Sequence, residues 1–388
     1  MKHKKLVGFA AAAALVLAAC GGDDSSSDTT AAPTDDTTAA VGTNLADVCP
    51  AKIVLQTDWN PEAEHGFLYE LIGAGYEVDT EKLAVRGDLV SEGQTTGVQV
   101  EVRAGGPAIG FQAVSSQMYQ DPEIMLGFTS TDESVSNSVK FPTKAVVAPF
   151  NINPQIIMWD PATYPDVKTI KDLGATGAKV RYFDGAAYME YLIADGQLSK
   201  DQVDGTYDGS PASFIAAAGK DAQQGFGTSE PFSYQNDIKD WLKPVAYQYI
   251  HDAGWTSYAQ SLGGTPESLE KNAECLKKFV PVVQKAQRDY IANPARTNAL
   301  IVDSVLQYNN GWNYSAAQAD AAVVKMLEDK LVANSPDGTL GSFDLDRITA
   351  FIAAATPVYE QTGSEVKAGI TAADVVSNEY IDPSITLG

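Results

Sequence analysis

The chain is short of histidine, cysteine and basic residues, and its body has no long hydrophobic run. Three His and three Cys without C-x-x-C spacing give a zinc site little support. No stretch after residue 20 approaches the ~18 consecutive apolar residues of a transmembrane helix. Only 27 Lys and Arg face 50 Asp and Glu, and the resulting net charge of −23 argues against binding to nucleic acid or anionic lipid.

Common catalytic signatures are also missing. The sequence contains no G-x-S-x-G elbow, Walker loop, H-E-x-x-H or G-x-G-x-x-G motif. Beyond His3, only His65 and His251 could act as imidazole general bases. We therefore expect a binding protein rather than an enzyme, with no catalytic residue, cofactor or metal.

The N-terminal residues are typical of an export signal. Three lysines among the first five residues precede the apolar run Leu6–Leu17, and Leu17-Ala18-Ala19-Cys20 follows. This is the layout of a secretory signal peptide over residues 1–19, and its end resembles a bacterial lipobox. The alternative is a retained anchor, but about twelve apolar residues are too short to span ~30 Å of hydrocarbon. We expect cleavage before Cys20, lipid on its thiol, and attachment to the extracytoplasmic face of the cell membrane.

The segment after Cys20 is predicted to be a disordered tether over residues 20–48. Its first half is almost entirely Gly, Asp, Ser, Thr, Ala and Pro, which cannot bury enough apolar surface to fold. About 25 residues of such coil span roughly 25–30 Å. The folded body would then touch the membrane through the lipid anchor alone.

Two cysteines remain in the body, Cys49 and Cys275. An oxidising compartment favours a disulfide between them, and the alternative is a pair of buried free thiols. The bond would join the start of the body to a distant helix.

The body alternates between strand-like and helix-like segments, which indicates two parallel α/β sheets. Strands are predicted at 51–57, 98–102, 124–128, 144–149, 156–159, 179–183, 204–207, 222–227 and 244–250. Helices are predicted at 61–75, 109–119, 132–139, 170–173, 186–195 and 211–218, and the chain is mostly helical from Thr265 onward. The fold class is therefore α/β.

Four segments resemble a known family. They are Gln56–Tyr69, Ala104–Pro107, Val180–Gly185 and Gly227–Phe232. In this order they are similar to blocks of the NMT1/ThiY-like solute-binding proteins, which serve ABC importers of thiamine-precursor pyrimidines, riboflavin and sulfonates. The resemblance covers most of residues 51–300. It departs at Ser229, where relatives often carry Asn, and at residues 77–95, which are longer than the usual turn.

The resemblance implies a type II periplasmic-binding-protein fold. Two α/β lobes would be joined by two crossover strands, near Phe150–Pro154 and Tyr247–Asp252, with the ligand in the cleft between them. Residues 50–150 plus 251–388, including a helical C-terminal part, would form lobe 1, and residues 151–250 lobe 2. The implied partners are a small-molecule ligand and an ABC permease with its ATPase. We expect the protein to be a monomer.

Candidate ligand-binding residues follow the predicted strands, because ligands of open α/β sheets bind at the carboxyl ends of strands. In the first lobe these are Trp59, Glu64, His65, Tyr69, Gly105, Gly106, Pro107, Thr129 and Ser130. At the hinge and in the second lobe they are Asn151, Gln155, Phe183, Asp184, Tyr188, Ser229, Glu230, Tyr234 and Trp255.

Some of these residues have simpler alternative roles. Trp59 could stack on a flat ligand or be an ordinary core tryptophan. Glu64 could contact ligand or only favour a helix dipole, and Ser130 could be an N-cap. Gly105 and Gly106 would allow close backbone approach and leave amide donors free. Glu230 is the predicted polar anchor.

The loops that carry these candidates contain no Lys or Arg. Sulfonate and phosphate sites usually recruit such residues, although helix N-termini can also hold an anion. The carboxylates Glu64, Asp184 and Glu230 instead suit a neutral or weakly basic ring, such as a thiamine-precursor pyrimidine or a flavin-like compound. The alternatives are a binding protein for a sulfonate or other small organic anion, a ligand sensor without transport, and a pyrimidine-synthase-like enzyme.

Replacing Cys20 with Ser should release the protein from membranes, because the thiol that carries the lipid is then missing. Fractionation of cells that express the wild type and Cys20→Ser would measure this. Equal membrane retention of the two proteins would contradict the prediction.

Overall fold

The computed structural model of the protein describes residues 42–388. The predicted signal peptide, Cys20 and the tether up to residue 41 lie outside the described residues. Among the described helices, none is both long and apolar enough to span a bilayer.

The first sheet has seven strands in the order β2-β3-β4-β1-β5-β12-β6. The strands are β1 Lys52–Gln56, β2 Glu77–Asp79, β3 Ala84–Ser91, β4 Gln94–Arg103, β5 Ile124–Thr129, β6 Lys144–Val147 and β12 Ser261–Gly264. Strand β1 is parallel to β4 and β5 at the centre of the sheet. All six residues of β5 are buried, as expected for a central strand.

The second sheet has five strands in the order β11-β7-β10-β8-β9. The strands are β7 Gln155–Trp159, β8 Val180–Arg181, β9 Val203–Asp204, β10 Ala222–Phe226 and β11 Ala246–Tyr249. Strands β10, β8 and β9 are parallel, whereas β7 is antiparallel to β10 and β11. The two sheets confirm the predicted mixed α/β class.

The expectation of purely parallel sheets is wrong. Strands β7 and β12, by which the chain enters each sheet from the other, run against their neighbours. The chain leaves the first sheet along β6 and returns to it along β12, so these neighbouring strands run in opposite directions. In the second sheet the chain enters along β7 and leaves along β11, with the same result. The β3–β4 hairpin was also missed. Its two-residue turn, Glu92–Gly93, has positive φ at both positions, as a type I′ turn requires.

Helices surround the sheets, and two predicted helices are shorter than expected. Residues 61–75 form a 3-10 turn, Ala63–His65, and α1, Gly66–Glu70. Residues 106–120 form a second 3-10 turn, Gly106–Ile109, which ends at Gly110 with φ of 63°, before α2, Val114–Gln120. The left-handed Gly110 interrupts the helix predicted over 109–119.

The remaining helices follow the predicted order, except that no helix was expected at Glu230–Asn236. In the first half they are α3 Thr131–Ser136, α4 Ile170–Thr176, α5 Ala187–Ala194, α6 Ala212–Ala216 and α7 Glu230–Asn236. In the C-terminal part they are α8 Pro266–Lys271, α9 Ala273–Ala292, α10 Ala295–Tyr308, α11 Ala316–Glu328, α12 Leu345–Thr362 and α13 Ala372–Val375. Helix α9 packs on α1, whereas α12 packs on α3 and α5. The C-terminal helices therefore contact helices that follow strands of both sheets.

Cys49 and Cys275 form the predicted disulfide. The bond joins the segment ahead of β1 to the first turn of α9. Cys275 is fully buried in the large core cluster that also contains Leu276 and Phe279.

The chain passes between the sheets twice, over residues 148–154 and 250–260. The second passage begins later than the predicted Tyr247–Asp252, because β11 still pairs with β7 through Tyr249, and it ends later, because β12 begins only at Ser261. The assignment of residues 50–150 plus 251–388 and 151–250 to two lobes stays a prediction.

Arg347 of α12 connects the two passages. Its guanidinium donates hydrogen bonds to the carbonyl oxygens of Asn151 at 2.5 Å, Thr256 at 2.8 Å and Ser257 at 3.0 Å. It also lies 3.8 Å from the ring centroid of Tyr258. A planar group with five donors can serve both segments at once, which a lysine cannot do.

Replacing Arg347 with Met should lower the free energy of unfolding by about 2–4 kcal/mol, because three carbonyl groups lose a charged donor. Arg347→Lys should recover part of this loss. Urea denaturation would measure both, with Arg288→Met as the control, since Arg288 makes exposed ion pairs worth about 0–1 kcal/mol. An Arg347→Met loss no larger than that of the control would contradict the prediction.

Candidate functional site

A cavity of about 240 Å³ lies between the two sheets. It is bounded by the segments that follow β1, β8 and β10, by the second passage and by the loop between α10 and α11. Its lining residues are Asp58, Trp59, Glu62, Gln155, Phe183, Tyr207, Gly209, Gln224, Gly225, Phe226, Ser229, Glu230, Gln260 and Trp312. Five predicted site residues are among them: Trp59, Gln155, Phe183, Ser229 and Glu230.

One side of the cavity is aromatic. The Trp59 ring centroid lies 6.0 Å from that of Phe183 and 6.1 Å from that of Trp312, and both pairs meet edge to face. Tyr207 adjoins Phe183 at 4.9 Å. These rings meet at steep angles around a shared space instead of forming one stack.

The glycine pair after β4 positions Trp59. Gly106 has φ of 54°, and a Cβ on it would lie 2.4 Å from the indole Cε3. The Gly105 amide donates to the Trp59 carbonyl oxygen at 2.9 Å, so it is not the free donor that the sequence suggested. Both glycines therefore allow the backbone to close around the tryptophan.

Acidic side chains also line the cavity. Burial raises the pKa of Glu62 well above its usual range, and the neighbouring Glu64 and Asp58 carboxylates raise it further. Burial likewise raises the pKa of Glu230 from 4.5 to about 7, although the Phe226 amide donates to its Oε2 at 2.6 Å. Among residues 42–388, no Lys or Arg lines the cavity.

His65 and Gln260 connect the acidic residues. His65 Nε2 lies 3.1 Å from Asp58 Oδ1 and 3.5 Å from Glu62 Oε1. Gln260, which has φ of 49°, donates from Nε2 to Asp58 Oδ1 at 3.1 Å. His65 is fully buried behind the cavity wall and, unlike Gln260, does not line it.

Two buried polar atoms of the lining residues lack hydrogen-bond partners within the described part of the chain. They are the acceptor Oε1 of Gln260 and the donor Nε1 of Trp312. A buried polar atom without a partner costs about 1–3 kcal/mol, so each is a candidate contact for a ligand.

Two hydrogen bonds join the sides of the cleft beyond the cavity. The Thr228 hydroxyl, after β10, donates to Oε1 of the buried Glu64. At the next residue, Ser229 Oγ accepts from Gln318 Nε2 at 3.0 Å. The Ser315 hydroxyl, which caps α11, accepts from the backbone N–H of Gln318. The Gln318 side chain bonds Ser229 and makes no bond to the Ser315 backbone. Glu64 thus bridges the cleft without lining its cavity.

Several predicted residues support the site from behind. The Tyr188 hydroxyl donates to Oε1 of Gln224, which itself lines the cavity, at 2.8 Å. The Tyr234 hydroxyl accepts from Gln223 at 2.8 Å. Their roles in the structure are those of packing and positioning residues.

The other predicted residues do not line the cavity. Tyr69 and Thr129 are fully buried, and the Thr129 hydroxyl donates to the Ser261 carbonyl at 3.4 Å. The Trp255 indole donates to Asp132 at 3.1 Å. Four more residues complete this set. Pro107 is the second residue of a 3-10 turn, and Ser130 directly precedes α3. The Asn151 carbonyl oxygen accepts from Arg347, and Asp184 is exposed.

Sequence reasoning missed nine lining residues, namely Asp58, Glu62, Tyr207, Gly209, Gln224, Gly225, Phe226, Gln260 and Trp312. Asp58 and Glu62 flank Trp59 in the segment after β1, and their position alone could have identified them. Gln260 and Trp312 come from the second passage and from a helix–helix loop, where no strand end marks them.

Among residues 42–388, no three or more His, Cys, Asp or Glu side chains are grouped to hold a metal ion.

The family model described as NMT1/THI5 like matches residues 94–297, just over half of the chain. The chain belongs to the NMT1/THI5-like family. This confirms the resemblance seen in the sequence. A search of curated proteins finds no match to this NMT1/THI5-like protein.

Solved structures share the fold of this NMT1/THI5-like protein. The periplasmic aliphatic sulphonate binding protein SsuA of Escherichia coli has a TM-score of 0.55 at 15% identity, covering 88% of this chain and 95% of its own. The alkanesulfonate-binding protein SsuA of Xanthomonas axonopodis pv. citri, bound to MOPS, has 0.53 at 14%, covering 84% and 99%. A protein of Bordetella bronchiseptica RB50 has 0.53 at 15%, covering 85% and 96%. The predicted type II periplasmic-binding-protein fold is confirmed.

Glu230→Gln should stabilise the protein at pH 8 by an amount on the order of 2 kcal/mol. The raised pKa of Glu230 means that the wild type loses stability as pH rises from 4.5 to about 7, whereas glutamine has no proton to lose. Below pH 4.5 the two proteins should be equally stable. Urea denaturation at both pH values would measure this, with the exposed Glu360→Gln as control. A Glu230→Gln variant less stable than wild type at pH 8 would show that the charged carboxylate is favoured in the fold.

Proposed function

We propose that this protein is an extracytoplasmic solute-binding lipoprotein that delivers a small aromatic heterocycle to an ABC permease. The observation that carries the proposal is the cavity between the two sheets, whose lining combines aromatic rings with carboxylates. Such a cavity offers stacking to a flat ring and hydrogen-bond acceptors to its ring or exocyclic N–H groups.

The size of the cavity favours a single-ring ligand. Its volume of about 240 Å³ is below the ~300–1,000 Å³ of typical small-molecule pockets. An aminopyrimidine suits this space better than a three-ring flavin. The pyrimidine proposal is therefore preferred to the flavin-like one.

The main competing ligand is a sulfonate, because two proteins of the same fold are named for sulfonate binding. The charge of this cavity argues against it. Glu62 and Glu230, once ionised, would repel an anion, and within residues 42–388 no basic side chain lines the cavity to compensate.

Import requires a permease and an ATPase, whereas ligand binding alone requires neither. The proposed lipid anchor would keep a monomer close to its permease, whereas a sensor would bind the same ligand without one. Reconstituted permease and ATPase should show ligand-stimulated ATP hydrolysis only when this protein is added. An enzyme would instead consume its ligand, so recovery of the unchanged ligand after incubation separates binding from catalysis.

A thermal-shift and calorimetry screen should find a single-ring aminopyrimidine that binds the wild type. A ligand at 100 times its Kd adds about 2.7 kcal/mol to the free energy of unfolding. Trp59→Ala should weaken binding about tenfold or more through lost stacking and apolar contact. Tyr119→Ala removes an exposed aromatic outside the cavity and should leave the Kd unchanged.

The same screen includes a flavin, taurine and hexanesulfonate. Tight binding of a sulfonate, which weakens as salt rises, with no binding of any ring compound would contradict the heterocycle proposal.

A further inference from the structure

The acidic groups of the cavity have little compensating positive charge. Within residues 42–388, the one ionic partner of Glu62 Oε1 is His65 Nε2 at 3.5 Å, and Asp58 shares the same nitrogen at 3.1 Å. Glu230 accepts the Phe226 amide but forms no ion pair within the described part of the chain. One imidazole therefore faces three carboxylates, and a buried carboxylate without a partner is costly.

The hydrogen-bonding groups of the cavity are also unbalanced toward acceptors. Besides the carboxylates, Gln260 presents Oε1, which is buried and has no donor within residues 42–388. Within residues 42–388, the unpartnered donors of the lining include Nε1 of Trp312 and Nε2 of Gln224, whose Oε1 accepts from both the Phe183 amide and the Tyr188 hydroxyl. A ligand that satisfies these groups must supply N–H donors or positive charge.

The aromatic side is compatible with a cation. Trp59 and Trp312 meet at 88°, and Trp59 and Phe183 at 60°, so the rings border one space from several directions. Rings around a cation attract it through their quadrupoles, and the attraction is greatest when the cation is removed from water. The Glu62 and Glu230 carboxylates, which line the same cavity, would add to this attraction.

We propose that the cavity selects a ring that carries a positive charge, and that the Glu62 and Glu230 carboxylates and the aromatic side, Trp59, Phe183, Tyr207 and Trp312, distinguish it from a neutral ring of the same shape. This inference rests on the proposed solute-binding function and defines the charge class of its ligand. A pyridinium or a protonated aminopyrimidine belongs to this class.

Proton release should accompany binding of a permanent cation. Burial raises the pKa of Glu62 and raises that of Glu230 to about 7, and a bound cation favours the ionised form of both. The titratable groups that face them are Asp58, Glu64, His65, Tyr69, Tyr207, Tyr234 and Tyr314. Affinity for the cation should therefore fall as pH is lowered from 8 to 5.5.

The test compares two probes of nearly identical shape. 1-Methylnicotinamide is a pyridinium cation, and 3-methylbenzamide replaces its charged ring nitrogen with carbon. Calorimetry at pH 8 should give at least tenfold tighter binding of the cation to the wild type. Glu62→Gln and Glu230→Gln should each remove most of this preference while 3-methylbenzamide binding stays the same. Asp184→Asn, which removes an exposed carboxylate outside the cavity, should leave the preference intact.

The outcomes distinguish this inference from the proposed solute-binding function on which it rests. Binding of 3-methylbenzamide or a neutral pyrimidine as tightly as the cation overturns the charge selection and leaves the heterocycle proposal in place. Failure of the cation to bind at pH 8 also overturns the inference. Tight sulfonate binding without any ring binding overturns both. Circular dichroism melting of each variant confirms that it is folded, so that a lost preference reports on the cavity.

Discussion

The hydrogen bonds of Arg347 fix the geometry on which the cleft depends. The relative position of the sheets is set by the two passages between them, and one guanidinium holds backbone carbonyls in both. Asn153 adds a side-chain bond to Ser257 at 3.1 Å, directly between the passages. Gln260 lies at the end of the second passage and Gln155 at the end of the first. The hinge contacts therefore also place two cavity residues.

The acidic side of the cavity illustrates a conflict between folding and binding. Burial raises the pKa values of Glu62, Glu64 and Glu230, the Glu64 and Glu230 carboxylates raise that of Glu62 further, and Glu64 also raises that of Glu230. A core built for stability alone would place apolar side chains there. Retaining carboxylates at this point suits a protein whose cleft is completed by its ligand, since the bound molecule supplies the missing interactions.

Residues close to strand ends could be predicted from the sequence, whereas more distant cavity residues could not. Trp59, Phe183 and Glu230 each come shortly after a strand that points toward the cleft, and the family resemblance supports the same segments. Gln260 and Trp312 escape prediction, since tertiary packing brings them there from segments without a local pattern. Tyr207 was missed although it follows β9 closely. The β3–β4 hairpin also escapes prediction, because its tight turn at residues 92–93 resembles part of a long loop. Local signals thus predict about a third of the cavity lining, and much of the rest depends on long-range geometry.

The disulfide also determines how the body would bear mechanical load. Cys49 is three residues ahead of β1, and its bond leads directly into the twenty-residue α9. A pull transmitted along the N-terminal segment reaches α9 through a covalent bond before it reaches the hydrogen bonds that pair β1 with β4 and β5. The central strand of the first sheet is thus shielded from tension, and the cleft residues that follow it keep their positions under load.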